Sequence, residues 1–187
     1  MELDVQVRKL VEDGDAAAAA SASIEALGPA ILGYLRALHG DGDDAEDVFQ
    51  HWAEDLWRGI AAFRGECPLR AWAYRLAWHA SARFRREQWN KRRERLRTSV
   101  ASRLAASVVR SRPVGRRDER LELLGKDLEP EDRTLLLLRL DLEMTWDEIA
   151  AVLARDGSDV APAALRKRFQ RLKERLGELA REKGLIR

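Results

Sequence analysis

The sequence of 187 residues lacks the features that mark several large classes of protein. It has one cysteine, Cys67, so no disulfide can form within the chain and no cysteine pair has the spacing of a zinc site. No run of about 18 apolar residues is present, which argues against a membrane-spanning helix. The first residues lack the basic and then apolar pattern of a signal peptide. These absences predict a cytoplasmic protein with no membrane segment of its own.

Motifs of common enzyme sites are also lacking. There is no Gly-rich phosphate loop and no recognisable pair of nucleophile and base. The histidines His39, His51 and His79 are scattered, and none has metal-ligand spacing to another or to Cys67. We therefore expect no catalytic residue, no bound metal and no cofactor.

Charge is nearly balanced overall but strongly segregated along the chain. The net charge is +2, yet residues 1–56 carry 3 basic and 13 acidic side chains, and residues 57–117 carry 17 basic and 3 acidic ones. Residues 118–163 are again acidic, with 5 basic and 13 acidic side chains, and residues 164–187 are basic, with 9 and 3. Basic segments suit polyanions, and acidic ones suit basic proteins or simple solubility. We expect the second acidic segment to be solvated surface.

The apolar pattern predicts an all-α protein. Hydrophobic residues make up 45% of the chain, and they recur with helical spacing without any sustained alternation typical of strands. Asp15 is expected to cap an Ala-rich helix, which Gly28-Pro29 is expected to break or kink. Asp43 and Asp44 are expected to cap the next helix, whose buried face is predicted to comprise Val48, Phe49, Trp52, Leu56 and Ile60.

A change in composition divides the chain into two small helical domains. Residues 98–120 contain no aromatic residue and are rich in Ser and Arg, with Pro113 and Gly115. We interpret them as a basic linker between a domain of residues 1–97 and one of residues 121–187. Both domains are large enough to fold.

The last helix of the second domain has one apolar and one basic side. It is predicted to start near Ala161-Pro162, and Leu165, Phe169, Leu172, Leu176 and Leu179 follow at helical spacing. Its outer surface carries Arg166, Lys167, Gln170, Arg171 and Lys173. A short helix opened by the capping box of Thr145 and Glu148 precedes it. This order is typical of a helix-turn-helix that reads the major groove. A helical hairpin with a solvated basic face is the alternative.

The first domain ends in a helix, predicted from Leu69 to about residue 97, that mixes aromatic and basic side chains. Trp72, Tyr74, Trp78, Phe84 and Trp89 interleave with Arg70, Arg75, Arg83, Arg85 and Arg86. Aromatic faces stack on unpaired bases while arginines follow phosphates, so this mixture suits single-stranded nucleic acid. Trp72 and Leu76 are expected in the core, whereas Trp78, His79 and Trp89 are expected to be exposed.

In this order, the motifs resemble the extracytoplasmic-function (ECF) group of bacterial RNA polymerase sigma factors. The resemblance is carried by DAEDVFQ at residues 44–50, FRGE at 63–66, RAWAYRLA at 70–77, LEPEDR at 128–133, TWDEIA at 145–150 and LRKR at 165–168. It implies a region 2-like helical bundle in the first domain and a region 4-like helix-turn-helix in the second.

The resemblance also implies partners for each surface. The clamp of core RNA polymerase would be bound by Asp44, Glu46, Asp47 and Gln50. The melted −10 element would be bound by Phe63, Arg64, Arg75, Trp78, His79, Arg83 and Arg86, although the family commonly has Asn in place of His79. The −35 duplex would be bound by Arg166, Lys167, Gln170, Arg171 and Lys173. Further expected contacts are the polymerase flap and an anti-sigma factor, which the family often uses.

Two other functions compete with this interpretation. A stand-alone helix-turn-helix regulator would bind a palindromic duplex as a dimer, but it leaves the aromatic and basic first domain unexplained. An RNA-binding or nuclease-like helical protein would need a metal or an acid–base site, which the sequence does not show.

Overall fold

The computed structural model describes residues 2–40, 42–88, 128–154 and 160–182. Contacts divide the chain into two units, Met1–Arg112 and Pro113–Arg187. Every regular element in the described ranges is helical, so the all-α prediction is confirmed. The predicted linker at 98–120, Trp89 and most of the turn before the last helix lie outside the described residues.

The described part of the first unit is built on two central helices. Its elements are α1 (Glu2–Glu12), α2 (Ala16–His39), α3 (Asp43–Gly59), a 3-10 turn (Ile60–Ala62) and α4 (Leu69–Gln88). Helix α2 packs against α1, α3 and α4, and α3 also packs against α4. The predicted buried face is confirmed, because Val48, Phe49, Trp52 and Leu56 of α3 and Ile60 of the following 3-10 turn are all fully buried.

Helix α2 continues through Pro29, so of the expected break or kink the break is wrong. Proline removes one backbone donor, but Gly28, Ile31 and Leu32 around it are buried, and this packing holds the helix together. The Asp15 cap is confirmed: its Oδ1 accepts a hydrogen bond from the Ala18 N–H at 2.9 Å. Helix α2 is long and apolar enough to be a candidate membrane span, but its packing against α1, α3 and α4 accounts for the same composition.

Helix α3 begins one residue earlier than expected. Gly42 is its N-cap and no side chain caps it, so the prediction that Asp43 and Asp44 are capping residues is wrong. Both lie with Glu46 in the first turn, where the helix dipole favours negative charge.

Helix α4 is fixed by contacts from two earlier helices. The Leu69 N–H donates to Asp4 Oδ1 at 2.7 Å, so a carboxylate of α1 satisfies one of the backbone donors that have no partner within α4. Within the core, Trp52 Nε1 donates to the Ala73 carbonyl at 3.0 Å and joins α3 to α4. The predicted continuation of α4 to about residue 97 lies outside the described residues.

The second unit contains α5 (Pro130–Leu136), a short π-helix (Leu137–Asp141), α6 (Trp146–Leu153) and α7 (Pro162–Glu182) in its described ranges. The capping box is confirmed: Thr145 Oγ1 accepts from the Glu148 N–H at 3.2 Å, and Glu148 Oε2 accepts from the Thr145 N–H at 2.8 Å. Helix α7 packs against α5 and α6. Of its predicted apolar side, Leu165 and Leu172 are buried, and Phe169, Leu176 and Leu179 are half-buried.

Candidate nucleic-acid and polymerase interfaces

One side of α4 presents a row of basic residues. Arg75, His79, Arg83 and Arg86 follow at spacings of four, four and three, so they share a helix face. Arg83 and Arg86 are exposed, and Arg75 and His79 are half-buried. Arg64, in the loop before α4, is exposed as well. The three arginines of this row place positive charge along one helix face, which is the chemistry that contact with a phosphate backbone requires.

Two aromatic residues predicted to contact the −10 strand are buried. Trp78 is 3% exposed, so the expectation that it is exposed is wrong, and Phe63 is 7% exposed. The Arg85 guanidinium lies 5.1 Å from the centroid of the Trp78 ring, and the Phe63 ring lies 5.2 Å from that of Trp72. Helix α4 packs on more than one side, so its core face is wider than the periodicity of its large apolar residues indicates. In this conformation neither ring offers a face to a base.

Arg85 contacts buried residues of α4 and is not part of the basic row. Its Nη1 donates to Ser81 Oγ at 2.9 Å, and Ser81 Oγ lies 2.8 Å from His39 Nε2 on α2. Ser81 is fully buried, so these contacts satisfy a polar group that would otherwise destabilise the core. No local pattern in the sequence identifies this cluster, because His39 and Ser81 are far apart along the chain.

Arg83 is paired with a carboxylate from the neighbouring helix. Its Nη2 donates to Asp55 Oδ2 on α3, and Asp55 Oδ1 lies 3.9 Å from Arg58 Nη1. Arg58 also donates to Glu54 Oε2 at 2.7 Å. These groups line a small polar cleft between α3 and α4. A phosphate that binds Arg83 must therefore replace or share its carboxylate partner.

Burial raises the pKa of two ionisable groups of the first unit. Burial raises the pKa of Tyr74 to about 12, against the opposing charge of Arg70, and its hydroxyl has no hydrogen-bond partner among the described residues. Burial also raises the pKa of Cys67, although Arg75 acts in the opposite direction. A raised pKa leaves less thiolate, so Cys67 is not an activated nucleophile. No group of three potential ligands that could hold a metal ion occurs in the described ranges.

The start of α3 forms an acidic surface. Asp44 is exposed, and Asp47 and Gln50 follow at spacings of three and are half-buried. Glu46 accepts a hydrogen bond from Arg36 Nη2 at 3.3 Å, which ties its side chain to α2. The four predicted polymerase-binding residues thus lie within two turns of one helix, and none of them is buried in the core.

The outer side of α7 is basic and accessible. All five predicted −35 residues are exposed: Arg166, Lys167, Gln170, Arg171 and Lys173. Gln170 Nε2 donates to Glu174 Oε1 at 3.3 Å, and Arg171 Nε donates to the Lys167 carbonyl at 3.4 Å. The geometry leaves guanidinium, ammonium and amide donors available on one helix, which is the chemistry of base-edge and phosphate recognition.

Arg168, in the same LRKR motif, has a structural role. Its Nε donates to Asp132 Oδ1 at 2.6 Å and its Nη1 donates to Glu131 Oε2 at 3.2 Å, which joins α7 to α5. Burial lowers the pKa of Arg168, but the hydrogen bonds and charges of the two carboxylates outweigh burial and raise it. The expectation that the second acidic segment is only solvated surface is therefore wrong for these two residues.

Comparison with known proteins identifies one part of the chain. Residues 24–91 match the family described as Sigma-70 region 2. This range contains α3, α4, the loop between them and most of α2. A search of curated proteins found no match to the chain. The match supports a sigma factor of the sigma-70 family and lies entirely within the first unit.

Proposed function

From the match of residues 24–91 to sigma-70 region 2, we propose that the chain is a promoter-specificity subunit of bacterial RNA polymerase, of the ECF group. In this role it binds core polymerase, recognises the −35 and −10 elements and helps to melt the −10 region. Sigma factors are non-catalytic regulators and normally cytoplasmic, in agreement with the expectation of a cytoplasmic protein that is not an enzyme. The main support for the proposal is that the matched range contains both the acidic surface on α3 and the basic row on α4.

The basic row of α4 is proposed to hold the melted −10 strand. Arg75, Arg83 and Arg86, with Arg64 from the loop, contact successive phosphates, and His79 stacks on or hydrogen-bonds to a base. Phe63 and Trp78 support this face from inside, since both are buried. Stacking of His79 on a base requires an unpaired base, so this contact applies to single-stranded DNA.

The acidic surface of α3 is proposed to contact the polymerase clamp. Asp44 and Asp47 supply negative charge for a basic partner surface, and Gln50 adds a polar contact. Glu46 is held by Arg36, so it shapes the surface and contributes less of its charge. Charges at the rim of such an interface chiefly raise the association rate and fix orientation.

The second unit is proposed to be a region 4-like domain that reads the −35 duplex. Its support is the exposure of all five polar residues on the outer side of α7, together with the short, capped helix α6 that packs against α7. The polymerase flap is proposed as a further contact of this domain, and an anti-sigma factor as a further partner of the chain. A stand-alone regulator would not account for the region 2 match.

Binding to core polymerase tests the first step of this function. The chain should co-elute with purified core polymerase, and the variant D44N/D47N should bind more weakly, with a smaller dependence on salt. Glu25→Gln, an exposed charge on α2 outside the proposed surface, is the matched control and should bind as the wild type does. If the wild-type chain does not bind core polymerase, the proposed function is wrong. If the wild type binds and D44N/D47N binds equally well, the acidic surface is not the contact.

A further inference from the structure

Trp146 is a half-buried aromatic residue at the junction of α6 and α7, and no role in DNA binding follows from its sequence position. It is the first residue of α6, directly after the N-cap Thr145. The capping box of Thr145 and Glu148 fixes both the backbone and the side chain of the cap. The capping box therefore fixes the backbone from which the Trp146 side chain extends.

The Trp146 ring is held in place from two directions. The Phe169 ring of α7 meets it edge to face, with centroids 5.5 Å apart and an interplanar angle of 72°. The Arg139 guanidinium lies 4.9 Å from its centroid, and Arg139 is itself anchored because its Nη1 donates to the Met144 carbonyl at 2.7 Å. Both contacts favour the orientation of the indole that is seen in the structure.

A second guanidinium lies near the same ring. Arg166, one turn before Phe169 on α7, has its Cζ 5.9 Å from the Trp146 centroid. Arg166 is otherwise exposed, and an arginine side chain in solvent samples many rotamers that must be given up on binding. Contact with a fixed ring restricts these rotamers before DNA arrives, which is the general advantage of a preorganised binding group.

We propose that Trp146 is a positioning residue for DNA binding, which holds the Arg166 guanidinium at the start of the basic side of α7. The proposal rests on the proposed function, because it takes Arg166 as a contact to the −35 duplex. Trp146 itself need not touch DNA. A cation on an exposed aromatic ring is stabilised by an amount equal to about 2- to 5-fold in an equilibrium constant, which sets the largest loss of affinity expected when the ring is removed.

A double-mutant cycle separates positioning from general support of the fold. The probe is a duplex selected from a random pool by the full chain bound to core polymerase, and its affinity is measured for the variants W146L, R166A and W146L/R166A in the same complex. W146L should weaken binding by about 2- to 5-fold in the wild-type background and have little effect when Arg166 is already replaced. The control cycle pairs W146L with Lys167→Ala, in which the two effects should simply add.

Two further measurements keep the result interpretable if W146L loosens the second unit. W146F retains an aromatic face and should recover part of the lost affinity. In the free chain, the NMR signals of the Arg166 side chain should carry a ring-current shift that disappears in W146L and persists in W146F.

The outcomes distinguish this proposal from the proposed function. Suppose that R166A weakens duplex binding. If W146L then has no effect on affinity, or the same effect with and without Arg166, the positioning role is wrong and the −35 assignment stands. If the ring-current shift is absent, the positioning role is also wrong. If R166A binds as the wild type does, the −35 contact of Arg166 fails, and the positioning role fails with it even if the ring-current shift is present.

Discussion

Replacing Asp55 with asparagine should strengthen binding to single-stranded −10 DNA. Asp55 on α3 is paired with Arg83, one of the proposed phosphate contacts on α4. A phosphate that engages Arg83 must compete with this carboxylate, so the free energy of the internal pair is subtracted from that of DNA binding. The substitution D55N removes the competing charge and leaves Arg83 in place.

The expected gain follows from the exposure of the pair. The side chains of Arg83 and Asp55 are 44% and 20% exposed, which places the pair among surface ion pairs that contribute about 0.2–1 kcal/mol. Loss of that competition corresponds to an affinity increase of about 1.4- to 5-fold. The salt dependence should become steeper by up to about 0.7 in the logarithmic slope, since one more cation is free to replace counterions on a single strand.

Fluorescence anisotropy with a labelled single-stranded oligonucleotide, at several salt concentrations, measures both quantities. Glu54→Gln is the matched control, because it removes one negative charge from the same helix and its carboxylate accepts from Arg58. It should change affinity much less than D55N. If Arg83→Ala weakens binding while D55N leaves both affinity and salt slope unchanged, the carboxylate does not compete with DNA and the reasoning is refuted.

Three further predictions concern the stability of the two units. Arg168→Ala should lower the free energy of unfolding of the second unit by about 1–2 kcal/mol in chemical denaturation, a modest value because Arg168 is 39% exposed; an unchanged midpoint would exclude a structural role for its bond to Asp132. Because the folded state keeps the Tyr74 proton up to about pH 12 while the unfolded chain loses it near 10, stability should fall as pH rises through that window, and Tyr74→Phe should remove this part of the pH dependence. Gly65→Ala should destabilise the first unit by about 1–2 kcal/mol, because Gly65 has φ +70° and a Cβ there would lie 2.8 Å from Arg8 Cδ. In thermal unfolding, the double variant with Arg8→Ala should recover only the loss caused by the clash with Arg8 and not the loss caused by backbone strain.

Local signals in the sequence predicted the helices well. The Asp15 cap and the capping box of Thr145 each depend on residues within one turn, and both are found in the structure. Continuation of α2 through Pro29 could not be foreseen, because burial by other helices, not local propensity, decides it.

The candidate sites were only partly predictable for a related reason. The exposed side of α7 follows from the periodicity of its own residues. Burial of Trp78 depends on how α4 packs in the first unit, and Arg168 pairs with Asp132, 36 residues away in sequence. The pattern of residues along one helix does not predict contacts with residues of other helices.

Run-off transcription with purified core polymerase and a promoter library tests the central claim most directly. The account predicts initiation from a distinct set of promoters only when the chain is added, with shared elements near −35 and −10. His79→Ala should alter the preference at one −10 position, and Arg171→Ala should weaken −35 binding by about 1–3 kcal/mol. A chain that neither binds core polymerase nor directs initiation from any sequence would contradict the account.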